Sequence, residues 1–222
     1  MDAEKLIQNI KAQLKEIDAK IASHPYLSAL DEGKVKREAL KFFAGHQYHI
    51  INSDLRSIAH LISREGSPLG REFLQGILLG EAEALKGIIT FGKSLGLTEE
   101  EMSLFEPLPA GFGYPAFVAW LGAYGSAAEL AAAFLVNYQA WGANCGRMSK
   151  ALNLKLNFKS EELKFFDLFA NTPPEFQTQA TAVVADGLSQ GISPHLIERA
   201  ARLLQGYELM FWDCMYSALS SK

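Results

Sequence analysis

Gly206-Tyr207-Glu208-Leu209-Met210-Phe211-Trp212-Asp213-Cys214-Met215-Tyr216 lies late in a helical pattern that opens at Ser193-Pro194. Leu204, Glu208, Phe211 and Met215 fall on one stripe of that helix, and Leu203, Tyr207, Met210 and Cys214 fall on the next. With apolar residues on both stripes, the helix is expected to be buried nearly all round. Glu208 then occupies a core position, where a carboxylate is costly unless something satisfies it. Two readings follow. Glu208 is tied to a Tyr or Asn of a neighbouring helix, or it stands at a pocket edge with a raised pKa, ready for acid–base work.

Working back through the chain, residues 2–22 show Leu6, Ile7, Ile10, Leu14, Ile17 and Ile21 at helical spacing, stopped by Ser23-His24-Pro25. A short turn of helix to Leu30 is followed by a long helix from about Lys34 to Ile62, with Ala39, Phe42, Phe43, His46, Ile50 and Leu61 facing inward. His46, Gln47, His49, Asn52 and Asp54 interrupt it with more polar groups than packing needs. Ser67 caps a helix that begins at Pro68 and runs to Leu95, with Gly96 as its end. Thr98-Glu99-Glu100-Glu101 is a capping box opening a short helix to Phe105. The stretch 106–115, rich in Pro, Gly and aromatic residues, reads as a rigid, non-helical hinge. Helices over 116–124, 126–152, 160–170, 174–190 and 193–219 complete an all-α pattern. The pattern predicts a single domain over 1–222, with the helices 34–62, 126–152 and 193–219 lining one central pocket.

Composition narrows the function classes. A net charge of −4 gives no basic footprint for nucleic acid or an anionic membrane. The stretch Ala127–Val136 is broken by Glu129 and is too short to span a bilayer. Met1-Asp2-Ala3-Glu4-Lys5 has no signal-peptide character. The two cysteines, Cys145 and Cys214, read as reduced core thiols, which fits a cytoplasmic protein. The chain carries no Cys-x-x-Cys. His46 and His49 share a helix face, and Glu81 or Glu83 would be needed to complete a metal site. No Glu-x-x-His accompanies them, so neither metal nor cofactor is expected. Asn137 and Trp141, one turn apart on an alanine-rich helix, suit a flat hydrogen-bonding ligand. Asn137 could equally hold a neighbouring core group.

Together these segments resemble the TenA/thiaminase II family and its PqqC-like relatives, which share a heme-oxygenase-like multi-helix bundle. The resemblance is carried by His24-Pro25-Tyr26, by Phe42-Phe43 leading into His46-Gln47, and by Glu106-Pro107-Leu108-Pro109 through Gly113-Tyr114. Tyr207-Glu208, Phe211-Trp212 and Met215-Tyr216 carry it most specifically. Thiaminase II-like enzymes hold an aminopyrimidine between aromatics, attack it with a cysteine, bind its edge with an aspartate and move protons with a glutamate. The resemblance implies Glu208 as that glutamate, Tyr114 as the hinge tyrosine, and Trp141 and Phe211 as aromatic walls. The nucleophile's position is Asn137, the aspartate's is Gln47, and a tyrosine one turn later is Ile50.

These departures strike at attack and recognition together, because an amide cannot be the nucleophile of a covalent route. Cys145 lies roughly 12 Å along the helix axis from Asn137 and about 80° round it, and Cys214 faces away from Glu208. The diiron branch of the fold is disfavoured as well, since Glu81–Ile88, Phe134–Asn144 and Thr178–Leu188 contain no histidine. The resemblance thus implies a divergent TenA-like protein with a pocket for an aminopyrimidine or similar heterocycle, and a dimer or tetramer. It is either a cysteine-independent hydrolase working through Glu208, a non-catalytic binding or regulatory protein, or a PqqC-like cofactorless oxidase.

Overall fold

A computed structural model of the protein describes residues 2–219; Met1 and residues 220–222, the ends of the single-domain reading, lie outside the described residues. Among the described residues there are ten α-helices and no strand. They are α1 (Ala3–Ala22), α2 (Pro25–Asp31), α3 (Arg37–Arg64), α4 (Pro68–Ser94), α5 (Glu99–Ser103), α6 (Pro109–Tyr124), α7 (Ala127–Leu156), α8 (Lys164–Ala170), α9 (Glu175–Ser189) and α10 (Pro194–Ser217). Several boundaries have a local cause. His24 accepts the Tyr26 N–H at the start of α2, and Ser67 accepts the Gly70 N–H at the start of α4. Thr98 with Glu101, and Ser126 with Glu129, form reciprocal capping boxes for α5 and α7. Asn157 closes α7 in the left-handed conformation at φ 56°.

The helices pack in two layers of contact. α3 lies along α4 and α6, while α7 lies along α8, α9 and α10, and α10 closes against α6 and α1. The apolar residues fall into two buried clusters that divide α7 between them. Leu130–Val136 belong to one, and Trp141, Cys145 and Met148 belong to the other. Asn137 falls at the seam, and Tyr114 packs against both clusters.

Three expectations change. The stretch 106–115 is not a non-helical hinge: α6 begins at Pro109 and carries Pro115 inside it. Pro109 sits in the first turn, where its missing N–H removes no helical hydrogen bond, so only Pro115 breaks the ladder. Gly111 and Gly113 let this turn settle directly on His46 and Tyr207, where a Cβ would collide with either ring. Second, α10 is not buried all round. Glu208, Phe211, Cys214 and Met215 are buried, but Met210 of the second stripe is 43% exposed and Tyr216, on neither stripe, is 42% exposed. Third, the segment 160–170 is a 3-10 turn, Ser160–Glu162, followed by α8 rather than one helix.

One close approach matters for the site. A Cβ on Gly122 would stand 2.7 Å from the backbone oxygen of Ser57, so only glycine lets α6 lie this near α3. Gly122→Ala is expected to lower stability by about 2–3 kcal/mol, read by urea unfolding, because the obstacle is backbone rather than a flexible side chain. No helix among the described residues is long and apolar enough to cross a membrane.

Candidate functional site

The seven residues singled out in the sequence converge. Gln47 and Ile50 of α3, Tyr114 of α6, and Asn137 and Trp141 of α7 line one cavity. Glu208 and Phe211 of α10 complete its far wall. The three helices expected to line the pocket all do so, and α4, α6 and α8 contribute as well. The cavity is small, about 30 Å³, room for one or two water molecules. Glu81, Tyr138 and Phe169 form a partition with an adjoining, mainly apolar cavity of about 250 Å³.

Glu208 is held from its own helix. The indole N–H of Trp212, one turn further on, donates to Glu208 Oε1 at 2.6 Å. Trp212 is itself fixed by packing against Trp141, Phe211 and Tyr26, with ring centroids 5.5, 5.5 and 5.8 Å away. Burial pushes the Glu208 carboxyl up to about 7, partly offset by hydrogen bonds from Trp212 and Asn137. Glu208 is thus hydrogen-bonded within the core, with its carboxyl raised toward neutral pH by burial.

Asn137 is the hub of a polar belt between the two apolar clusters. Its amide donates to Gln205 Oε1 at 3.3 Å and hydrogen-bonds Glu208, while its Oδ1 accepts the Tyr114 hydroxyl at 3.3 Å. Gln205 passes the belt outward, donating to Asp18 at 2.6 Å. Asn137 thus ties α6, α7 and α10 together. Burial, reinforced by the Asp54 charge, holds the Tyr114 hydroxyl well above the usual tyrosine range, so it stays a donor. The Gln47 side chain is buried, and no hydrogen bond to it is formed among the described residues.

Two acids of the cavity were not recognised from the sequence as a pair. Asp54 and Glu81 are 2% and 5% exposed, and both line the cavity. Tyr138 donates to Glu81 Oε1 at 3.1 Å, whereas Asp54 Oδ1 has no partner although it is enclosed. Burial raises both carboxyls, and the Glu81 charge raises Asp54 further. The signal was present. Asp54 lies two turns after Gln47 on the same face of α3, and Glu81 interrupts the apolar stripe Ile77-Ala84-Ile88 of α4.

His46 joins two helices through its ring. His46 Nδ1 donates to the Phe42 carbonyl at 3.0 Å, and its Nε2 accepts the Leu108 N–H at 3.1 Å. Both ring nitrogens are used to pin the start of α6 onto α3, and burial lowers the ring's pKa to about 4. Among the described residues, no three His, Cys, Asp or Glu side chains are grouped to hold a metal ion. Since the folded value lies below the usual 6.5, the unfolded chain binds the extra proton. His46 therefore contributes stability that is complete above pH 6.5 and lost on acidification to pH 4. The loss should amount to about 2–3 kcal/mol, checked by comparing urea midpoints of wild type and His46→Gln across that range.

Neither thiol reaches the cavity. Cys145 and Cys214 are buried and free, and burial pushes both thiols up, away from the reactive thiolate.

The bundle is that of heme-oxygenase-like proteins. Heme oxygenase-1 from the cyanobacterium Synechocystis sp. PCC6803, solved with heme, superposes with a TM-score of 0.69 at 13% identity, covering 96% of this chain and 91% of the other. The TenA homologue protein from P. horikoshii OT3 gives 0.77 at 18% identity, over 96% and 99% of the two chains. A putative TenA-like thiaminase from Sulfolobus solfataricus P2 gives 0.72 at 12% identity, over 95% of each. No curated protein sequence matches the chain. The profile of the TENA/THI-4/PQQC family matches residues 11–218, and the chain belongs to that family.

Proposed function

We propose that this TenA-family protein binds a small amino-substituted heterocycle of the aminopyrimidine class and hydrolyses it without a cysteine nucleophile, in thiamin-related salvage. The observation that carries the reading is Glu208: a carboxyl buried at the cavity wall, oriented by Trp212, with a pKa of about 7. At neutral pH it is divided between its basic and acidic forms, as one group serving both halves of a hydrolysis requires. The carboxylate takes a proton from water as the water oxygen bonds to the ligand carbon. The C–N bond breaks, and the same proton passes to the departing nitrogen. Tyr114 and Asn137 hold Glu208 and the ring edge, while Trp141 and Phe211 supply flat walls. A ring does not enter a cavity of about 30 Å³ unmoved, so binding requires the Tyr138–Phe169 partition to swing toward the adjoining cavity. A cytoplasmic homodimer or tetramer belongs to the same proposal; the exposed Trp120 and Tyr124 of α6 offer an apolar face for it.

The test is hydrolysis of an aminopyrimidine carrying a cleavable C–N bond, with Glu208→Gln as the paired variant. Turnover by wild type that falls at least about 100-fold in Glu208→Gln, with binding kept, is the expected result. Binding with no turnover in either protein would make the protein a ligand-binding member of the family instead.

A further inference from the structure

We propose that Asp54 and Glu81 form a second recognition site in this cavity, one that takes the amidine-like edge of a planar ligand, two nitrogens on one carbon with at least one N–H. The inference names the substrate edge recognised by the proposed site and rests on that reading for the ring, though not for the edge.

Two acids together would be only an acidic cluster. What sets this pair apart is Asp54 Oδ1, enclosed at the cavity wall and without a partner, on a residue that is 2% exposed. An unpaired buried acceptor costs about 1–3 kcal/mol unless something occupies it. Glu81, reached from α4, has one oxygen committed to the Tyr138 hydroxyl at 3.1 Å. The groups that face the pair are Tyr114 from α6, Tyr138 from α7 and Glu208 from α10, none of them a cation. Among the described residues, no Lys, Arg or His lines the cavity. Positive charge at the pair must therefore come from the ligand.

The chemistry selects the edge. Two neighbouring buried carboxyls do not both ionise, so the pair keeps one proton. Tyr138 stabilises the charge on Glu81, which leaves the proton on Asp54. The pair then presents an O–H donor beside a carboxylate acceptor. A ring nitrogen next to an exocyclic amine is the complement: the nitrogen accepts from Asp54 and the amine donates to Glu81. An amidinium cation fits the same pair once the shared proton leaves, since it offers two N–H donors to two carboxylates. Gln47 lacks the charge for this task, and Asp54, two turns along the same helix face, supplies it.

The experiment uses two probes on the intact protein: acetamidinium, which has the edge without the ring, and 4-amino-2-methylpyrimidine, which has both. Binding is followed by NMR shift titration, and proton release by calorimetry in two buffers of different ionisation heat. The expected result for wild type is acetamidinium binding with release of about one proton, strengthening about tenfold per pH unit until the pair is fully ionised. Asp54→Asn and Glu81→Gln, both close in shape and checked by thermal unfolding, should each weaken both probes at least about tenfold and abolish proton release. If acetamidinium fails to bind, binds without proton release, or binds the two variants as well as wild type, the proposal is overturned. The proton-release measurement needs no variant, so a misfolded substitution does not shield it. Acetamidinium bound as expected while the aminopyrimidine is refused would keep the Asp54–Glu81 site and remove the heterocycle reading. An aminopyrimidine bound equally by wild type and both variants would do the reverse.

Discussion

Glu208→Gln is expected to make the protein more stable at pH 8, by about 2–3 kcal/mol, while removing its hydrolysis. The carboxyl sits at about 7 in the folded protein against an ordinary 4.5. A raised value means that folding favours the neutral form. The stability Glu208 contributes is complete below pH 4.5 and is lost as pH rises through 7, so at pH 8 the folded protein carries a charge it would rather not hold. Gln keeps an oxygen for the Trp212 N–H and removes the charge. The gain should vanish at pH 4.5, where wild type is already protonated, and that pH dependence separates it from a simple packing effect. His46 works in the opposite sense between pH 6.5 and 4, so wild type alone shows a flattened profile. In Glu208→Gln the acid limb due to His46 should stand out. A stabilised protein that has lost its chemistry is what an active-site carboxylate held in an unfavourable medium predicts.

Asn137→Cys is expected to create no covalent thiaminase-type activity by itself and to lower stability by about 2–3 kcal/mol, read by urea unfolding. The substitution takes a partner from Tyr114, from Gln205 and from Glu208 in one step. The new thiol would also share the buried surroundings that push the Cys145 thiol up, where the Glu208 charge adds to burial. Combining Asn137→Cys with Gln47→Asp should give weak activity where either change alone gives little, because the second adds a carboxylate on the cavity wall beside position 137. Adding Ile50→Tyr carries a packing cost of about 1–3 kcal/mol, since Ile50 is only 7% exposed and its site has closed around the smaller side chain.

How legible this was depends on what each residue's signal competes with. Glu208 announces itself because a carboxylate in an apolar stripe has few meanings, and Glu81 carries the same signal between Ile77, Ala84 and Ile88. Asp54 is harder to see. It follows Asn52 and Ser53 on a helix with several polar positions, and only its register with Gln47 turns it inward. The start of α6 was hidden by prolines that read locally as helix breakers. What decides it is the contact of Gly111 and Gly113 with His46 and Tyr207, residues far away in sequence. The exposure of Met210 could not be read either, because an apolar side chain at helical spacing looks the same whether or not another helix arrives to cover it. The depth of the cavity, and the way Asn137 divides its hydrogen bonds between α6 and α10, follow from how the helices pack.

The most direct test of the central claim is aminopyrimidine hydrolysis at pH 7 by wild type, by Glu208→Gln, and by a chain carrying Cys145→Ala with Cys214→Ala. The account predicts that the cysteine-free chain keeps wild-type turnover and that Glu208→Gln loses at least about 100-fold. Turnover abolished by removing the cysteines, with Glu208→Gln still active, would contradict it.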